Sequence, residues 1–66
     1  MLKYYLDNQE ITSREYEDFL CDDAYCWGET KTTAMRVIRE NRQEARDNGE
    51  SAWTIRHGSV LLIRKE

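Results

Sequence analysis

Two runs of apolar residues at helical spacing, separated by Gly28, constrain the fold of this chain more than any other feature. Each run repeats every three or four residues, the period of one face of an α-helix. The first run predicts a helix over residues 13–26 and consists of Tyr16, Phe19, Leu20 and Ala24. The second predicts a helix over residues 31–47 and consists of Ala34, Val37, Ile38 and Ala45, with the polar Asn41 at the same spacing.

Residues at the predicted helix ends support these limits. Thr12 precedes Glu15 by three residues, the spacing of a capping box, and Ile11 is placed to pack on Tyr16. Thr30 is expected to cap the second helix, and Gly49 follows its last residues as helix-ending glycines do. The chain therefore predicts two helices joined by a tight turn at Gly28.

The flanking segments read as β-structure. Leu2, Tyr4 and Leu6 alternate with polar positions and predict a strand, followed by a polar turn over residues 7–10. Residues 52–56 and 60–64 predict a hairpin around residues 57–59, where Gly58 permits a positive φ. Residues 60–63 are apolar on both sides, which predicts a strand that is paired on both edges or contacted on each face. We expect a single α+β domain over residues 1–66.

Length and composition exclude several functions. With 66 residues the chain is expected to hold one domain, without a core large enough for a deep catalytic cleft. It offers no set of nucleophile, base and acid, so we expect no enzyme. Cys21 and Cys26 are expected to be reduced thiols, because their spacing on a helix does not suit a disulfide. His57 is the only histidine, and we expect no metal and no cofactor.

The targeting signals are equally sparse. No apolar run approaches the ~20 residues that a membrane-spanning helix needs. The apolar stretch near Leu2 is too short for a signal peptide. A cytoplasmic location with no membrane partner is therefore the expectation.

The spacing across the turn matches a DNA-binding helix-turn-helix. Ala24 precedes Gly28 by four residues, Ala34 by ten and Val37 by thirteen. Such motifs pack two helices closely through a short turn that often contains glycine. The outer face of the second helix is then the candidate reader of base edges and phosphates, from its cap onward: Thr30, Lys31, Thr32, Thr33 and Arg36.

Further along the second helix, Arg39, Arg42 and Arg46 form a basic stripe that suits phosphate contact. An alternative is an ordinary solvated face. Glu40, Glu44 and Asp47 are close enough along the helix to pair with Arg36, Arg42 or Arg46.

The C-terminal hairpin extends the DNA-binding interpretation. A hairpin directly after a recognition helix forms a wing, and the tip of this one contains Arg56, His57 and Gly58. Basic and small residues at a tip suit contact with phosphates or the minor groove. The alternative is a hairpin that only completes the core.

The net charge of −3 by itself argues against binding to nucleic acid, but the charge is distributed unevenly along the chain. Residues 1–29 contain two Lys or Arg and eight Asp or Glu, a net charge of −6. Residues 30–66 contain eight Lys or Arg and five Asp or Glu, a net charge of +3. The positive half contains the candidate reader and wing, so the overall charge does not exclude DNA.

These segments resemble the excisionases of phages and transposons. Residues 53–65 resemble their wing, with Trp53, Ile55, Gly58 and Ile63 followed by basic residues, and residues 28–41 resemble their recognition helix. The resemblance implies a small winged helix-turn-helix protein: an N-terminal strand, two helices and a C-terminal β-hairpin wing. Such a protein is an accessory factor without catalytic activity, which binds and bends double-stranded DNA at attachment sites and recruits a tyrosine recombinase.

By the same resemblance, the second helix reads the major groove through Lys31, Thr32, Thr33 and Arg36. The tip at His57 and Gly58 lies against the adjacent backbone or minor groove. The resemblance also implies self-association on DNA, to which exposed apolar residues of the last strand would contribute. Those are Leu61 and Ile63 in one hairpin register, or Val60 and Leu62 in the other.

A protein-binding role is the main alternative. The first helix has an acidic face that includes Glu15, Asp18 and Asp22. Such a face suits competition for a basic nucleic-acid groove. A phage or mobile-element inhibitor of a host DNA-defence nuclease complex is therefore kept as a second hypothesis, and a structural or antitoxin-like role as a third.

Overall fold

The computed structural model describes residues 1–26, 28–55 and 58–66. In these ranges it contains two helices and one four-stranded antiparallel sheet, in the chain order β1 Leu2–Leu6, β2 Gln9–Ile11, α1 Ser13–Cys26, α2 Lys31–Asn48, β3 Glu50–Thr54 and β4 Val60–Lys65. The strand order across the sheet is β2-β1-β4-β3. Both helices pack on the same face of this sheet, so the α+β prediction is confirmed.

The N-terminal strand continues into a hairpin that the sequence analysis did not predict. Asp7 and Asn8 have φ values of 48° and 73°, as in the type I′ turns that join two antiparallel strands. Gln9 and Glu10 then pair back with Leu6 and Tyr5. The predicted four-residue turn is therefore wrong at its last two positions, because asparagine and aspartate tolerate left-handed backbone well enough to close the turn in two residues.

The helix limits follow the predicted caps. Thr12 Oγ1 accepts a hydrogen bond of 3.1 Å from the Glu15 amide, and the Glu15 carboxylate accepts one of 2.9 Å from the Thr12 amide. This confirms the capping box of α1. Thr30 Oγ1 accepts from the Thr33 amide at 3.3 Å, and Gly49, with φ 95°, donates to the Ala45 carbonyl at 2.8 Å. Helix α2 ends one residue later than predicted, at Asn48.

The turn at Gly28 terminates α1 by two specific backbone hydrogen bonds. Gly28 has φ 77° and donates to the Tyr25 carbonyl at 3.0 Å, while Glu29 donates to the Ala24 carbonyl at 2.9 Å. This pair of bonds is the Schellman motif, and it satisfies carbonyls that the end of a helix leaves without partners. The chain then reaches the cap of α2 at Thr30 within two residues, which places α1 and α2 side by side.

Strand β4 is the central element of the sheet. It pairs with β1 on one edge and β3 on the other, which confirms the strand predicted to be paired on both edges. Strand β3 begins at Glu50 rather than at residue 52, because Glu50 already pairs with Arg64 directly after Gly49. At the other end, Ile55 donates to the Ser59 carbonyl at 2.9 Å and closes the hairpin loop, so β3 ends at Thr54.

The hydrophobic core lies between the helices and the inner face of the sheet. Its buried members are Tyr16, Leu20, Ala24, Ala34, Ile38, Ala45, Leu61 and Ile63. Leu61 and Ile63 thus point inward, and Val60 and Leu62 occupy the outer face. Phe19, predicted on the apolar face of the first helix, is instead 37% exposed.

Candidate nucleic-acid interface

The solvent-facing side of α2 carries five residues in one row. Spacings of four, three, four and three residues place them on one helix face, opposite the buried Ala34 and Ile38. We call this row the α2 stripe; it consists of Thr32, Arg36, Arg39, Gln43 and Arg46, all of them exposed. From first to last it extends about 21 Å at the rise of an α-helix. Its hydroxyl, guanidinium and amide groups are those that bind bases and phosphates.

Acidic residues flank the α2 stripe without neutralising it. Arg36 Nε lies 3.7 Å from Glu40 Oε1, and both side chains are about two-thirds exposed, so this ion pair is weak. Gln43 donates to Asp47 at 3.0 Å. Arg39 and Arg46 form no ion pair with any residue that the structure describes. The predicted pairing within the helix therefore occurs for Arg36 but leaves two guanidinium groups available.

Arg42 does not belong to this surface, and the prediction that it joins Arg39 and Arg46 in a basic stripe is wrong. Its Nη2 donates to Glu17 at 2.6 Å, and its Nε donates to the Tyr4 hydroxyl at 2.9 Å. Burial disfavours the charge, but the hydrogen bonds to Glu17 and Tyr4 outweigh that penalty and raise the pKa of Arg42. Arg42 therefore joins α2 to α1 and β1 rather than facing a ligand.

The predicted DNA-binding residues at the start of α2 have two different roles in the structure. Thr30 and Thr33 are occupied in the helix cap, where their hydroxyl oxygens also lie 3.2 Å apart. Lys31 and Thr32 are exposed. Chemically, Lys31 and Thr32 are free to contact a ligand, whereas Thr30 and Thr33 shape the helix end.

The C-terminal end of β3 lies at the same end of the molecule as the start of α2. An open groove of about 270 Å³ joins the two, lined by Ala34 and Val37 of α2 and by Trp53 and Ile55 of the hairpin, with Leu20 and Ala24 of α1. Gly58, in the loop between β3 and β4, is exposed and has φ 85°. Arg56 and His57, the other predicted tip residues, lie outside the described residues.

Helix α1 presents a surface of opposite charge. We call it the α1 acidic face; it consists of Glu15, Asp18, Phe19, Asp22 and Tyr25, all of them exposed. Asp18 and Asp22 have no ion-pair partner in the part of the chain that the structure describes. Tyr25 is 60% exposed, so an aromatic side chain accompanies the carboxylates.

Sequence reasoning missed Gln43 as a member of the α2 stripe. The signal was available, because Gln43 follows Arg39 by four residues and Arg36 by seven. An uncharged amide does not stand out in a charge pattern, although its donor and acceptor suit an adenine edge.

A metal site, a membrane-spanning helix and paired cysteines are the other features that bear on function. Over residues 1–26, 28–55 and 58–66, no three His, Cys, Asp or Glu are grouped to hold a metal ion. Within the same ranges, neither helix is long and apolar enough to cross a membrane. Cys21 and Cys26 are free thiols, and burial is the main cause that raises the pKa of Cys21, which packs against the core.

Comparison with known proteins gives no relative for this chain: no family model, no curated protein and no solved structure matches it. The chemistry of the exposed surfaces is therefore the basis for assigning a function.

Proposed function

We propose that this protein is a winged helix-turn-helix protein that binds duplex DNA as an accessory factor of a phage or transposon, in the manner of an excisionase. The observation that carries the proposal is the α2 stripe, an exposed row of hydroxyl, guanidinium and amide groups on the second of two closely packed helices. The major groove, about 12 Å wide, admits one α-helix, and these are the side chains that read it.

The contacts divide along α2. Thr32 and Arg36, near its start, are assigned to base edges, because recognition helices enter the groove by their first turns. Lys31, Arg39 and Arg46 are assigned to phosphates, which position the helix on the duplex. The helix N-terminus adds a partial positive charge at this end.

The β3–β4 hairpin is assigned as the wing. The end of β3 that leads into its loop lies beside the start of α2 across the open groove, so the hairpin and α2 can lie against one duplex. Arg56, His57 and Gly58 are the loop residues proposed to contact the adjacent backbone or minor groove. Because β4 is also paired with β1, the wing is an extension of the whole sheet rather than a free hairpin.

The acidic half of the protein is compatible with this role. Arg42 already neutralises Glu17 on α1. The carboxylates of the α1 acidic face lie on α1 rather than on α2, and exposed charges separated by more than a Debye length, about 8 Å in physiological salt, are largely screened from each other. That face remains available to a protein such as a tyrosine recombinase.

Binding to DNA is tested by fluorescence anisotropy across a salt series, with duplexes selected from a random pool. We expect log K to fall with log[salt], and Arg39→Ala or Arg46→Ala to make the slope shallower by about 0.9 each, the counterion release of one phosphate contact. Arg36→Ala should weaken binding to the selected site about tenfold and relax its sequence preference.

Arg14→Ala is the matched control, because Arg14 is exposed on α1, away from the α2 stripe. It should leave affinity and slope unchanged. Absence of binding to any selected duplex at low salt, or equal losses for Arg14→Ala and Arg39→Ala, would contradict the proposal.

The α1 acidic face supports a second candidate function, inhibition of a host DNA-defence nuclease complex. Exposed carboxylates at Asp18 and Asp22, next to the exposed rings of Phe19 and Tyr25, suit a basic groove that otherwise holds nucleic acid. In that function the carboxylates replace phosphates, and the aromatic rings replace bases, which also stack on protein side chains.

Charge reversal separates this function from DNA binding. In cells with an active defence nuclease, the wild-type protein should raise the plating efficiency of a sensitive phage, and Asp18→Lys with Asp22→Lys should abolish the effect. Glu15 is left intact because it caps α1. Glu40→Lys with Glu44→Lys, two reversals on exposed positions of α2, is the control and should retain protection. Full protection by the α1 variant would refute this function.

A further inference from the structure

The sheet face opposite the helices is open and partly apolar. Strand alternation places Tyr5, Leu62, Ala52 and Val60 on it, while Leu61 and Ile63 point into the core. We call it the outer sheet face. In the described ranges neither helix lies on this side. Charged residues surround its apolar part: Lys3, Glu10, Glu50 and Arg64.

We propose that a second copy of this chain covers the outer sheet face, with a two-fold axis along β4. The strand register carries the argument. Lys3 on β1 and Glu50 on β3 both lie opposite Arg64 on β4, so the three residues form one row across the sheet. A two-fold rotation about β4 exchanges β1 with β3. It therefore brings Lys3 of each copy against Glu50 of the other, which is charge complementarity built into one chain.

The same operation matches the apolar residues. Tyr5, Leu62 and Ala52 form the next row, so Leu62 meets Leu62 of the second copy and the large Tyr5 meets the small Ala52. Alternating large and small residues in this way lets two sheets interdigitate. Arg64 also lies on the axis, but its guanidinium is over the Tyr5 ring, 5.5 Å from the centroid, so its charge is displaced from the axis toward β1.

The charged side chains that would form the ion pairs of the dimer are available in the single chain. Glu50 is exposed and has no ion-pair partner among residues 1–26, 28–55 and 58–66. Lys3 lies 3.3 Å from Glu10, whose side chain is more than half exposed. An exposed pair of this kind contributes little, so Lys3 can exchange Glu10 for Glu50 of the second copy at small cost.

This interface is independent of the proposed DNA-binding function. The α2 stripe lies on the other side of the molecule, beyond the helix layer, and stays accessible in the dimer. Loss of the dimer and loss of DNA binding are therefore separate results.

Sedimentation equilibrium from about 10 μM to 1 mM, the range that separates weak dimers from monomers, tests the dimer directly. The wild-type chain should dimerise within this range. Leu62→Glu should remain monomeric with unchanged circular dichroism, because it places a charge at the centre of the interface. Thr32→Glu, a charge added on the α2 stripe, should dimerise like the wild type. A wild-type chain that stays monomeric at the highest concentration would overturn the proposal.

A charge swap tests the symmetry. Lys3→Glu and Glu50→Lys should each weaken the dimer about tenfold by placing like charges together, and the double variant should restore it. Rescue of Lys3→Glu by Glu10→Lys, but not by Glu50→Lys, would show that the pairing stays within one chain and would refute the two-fold arrangement. The swap keeps the apolar residues intact, so it remains informative if Leu62→Glu fails to fold.

Discussion

Replacing Ile38 by alanine should lower the free energy of unfolding by about 2–5 kcal/mol, the usual cost of truncating a fully buried aliphatic side chain. Ile38 is 0% exposed and belongs to the buried core that residues of α1, α2 and β4 form. A domain of 66 residues has a total stability of about 3–10 kcal/mol by the usual figure per residue. The variant should therefore lose a large part of its stability, measured as a lower urea midpoint at constant slope.

Val37→Ala is the matched control for Ile38→Ala. Val37 is the neighbouring residue on α2, is only half-buried and lines the open groove near Trp53. Its truncation removes less buried surface and leaves no closed cavity, so we expect a loss of about 1 kcal/mol or less. Equal losses at the two positions would contradict the core described above.

Tyr16→Phe should cost about 1–3 kcal/mol although it removes a single oxygen atom. Asn41 Nδ2 donates to the Tyr16 hydroxyl at 3.0 Å, and both residues are buried. Without the hydroxyl, the Asn41 amide remains in the core with an unpaired donor. Urea denaturation should show the loss, and Tyr16→Phe combined with Asn41→Leu should recover part of it, because the second change removes the unpaired group.

The same hydroxyl gives the protein a pH dependence in alkaline solution. Burial raises the pKa of Tyr16 above its ordinary value of 10.0, and this exceeds the opposing effects of Asn41 and Arg42. The unfolded chain then releases this proton at a lower pH than the folded protein. Stability from this group is complete below pH 10.0 and decreases as the pH rises through the folded pKa. Tyr16→Phe should remove this part of the alkaline loss; an unchanged pH profile would contradict it.

Local signals in the sequence located the helix ends closely. Thr12, Thr30, Gly28 and Gly49 each act through backbone groups within five residues, so their effect does not depend on the rest of the fold. The β1–β2 hairpin was missed for the converse reason. Asp7 and Asn8 are compatible with many turns, and the choice among them depends on β1 being held by β4.

The candidate interface was predicted less completely than the helices. Lys31, Thr32, Arg36 and Arg39 were identified from helical spacing, and all four are exposed. Arg42 has the same spacing and chemistry as Arg39 but lies against Glu17 and Tyr4. Helical periodicity gives the angular position of each residue around one helix, and it contains no information on which side of that helix faces a neighbouring helix.

The sequence by itself determined where the helices and most of the strands lie, because caps, turns and periodicity are interactions between residues close together in the chain. Only the tertiary structure decided which charges reach solvent and which face of β4 is buried. Arg42 is removed from the exposed surface by its contacts with Glu17 and Tyr4, which precede it by 25 and 38 positions in the chain. The outer sheet face holds Lys3 and Glu50 in one row because β1 pairs with β4, where Lys3 lies opposite Arg64, 61 residues further along the chain. Contacts of that range depend on the packing of the whole chain, since no local pattern specifies which distant residues will meet.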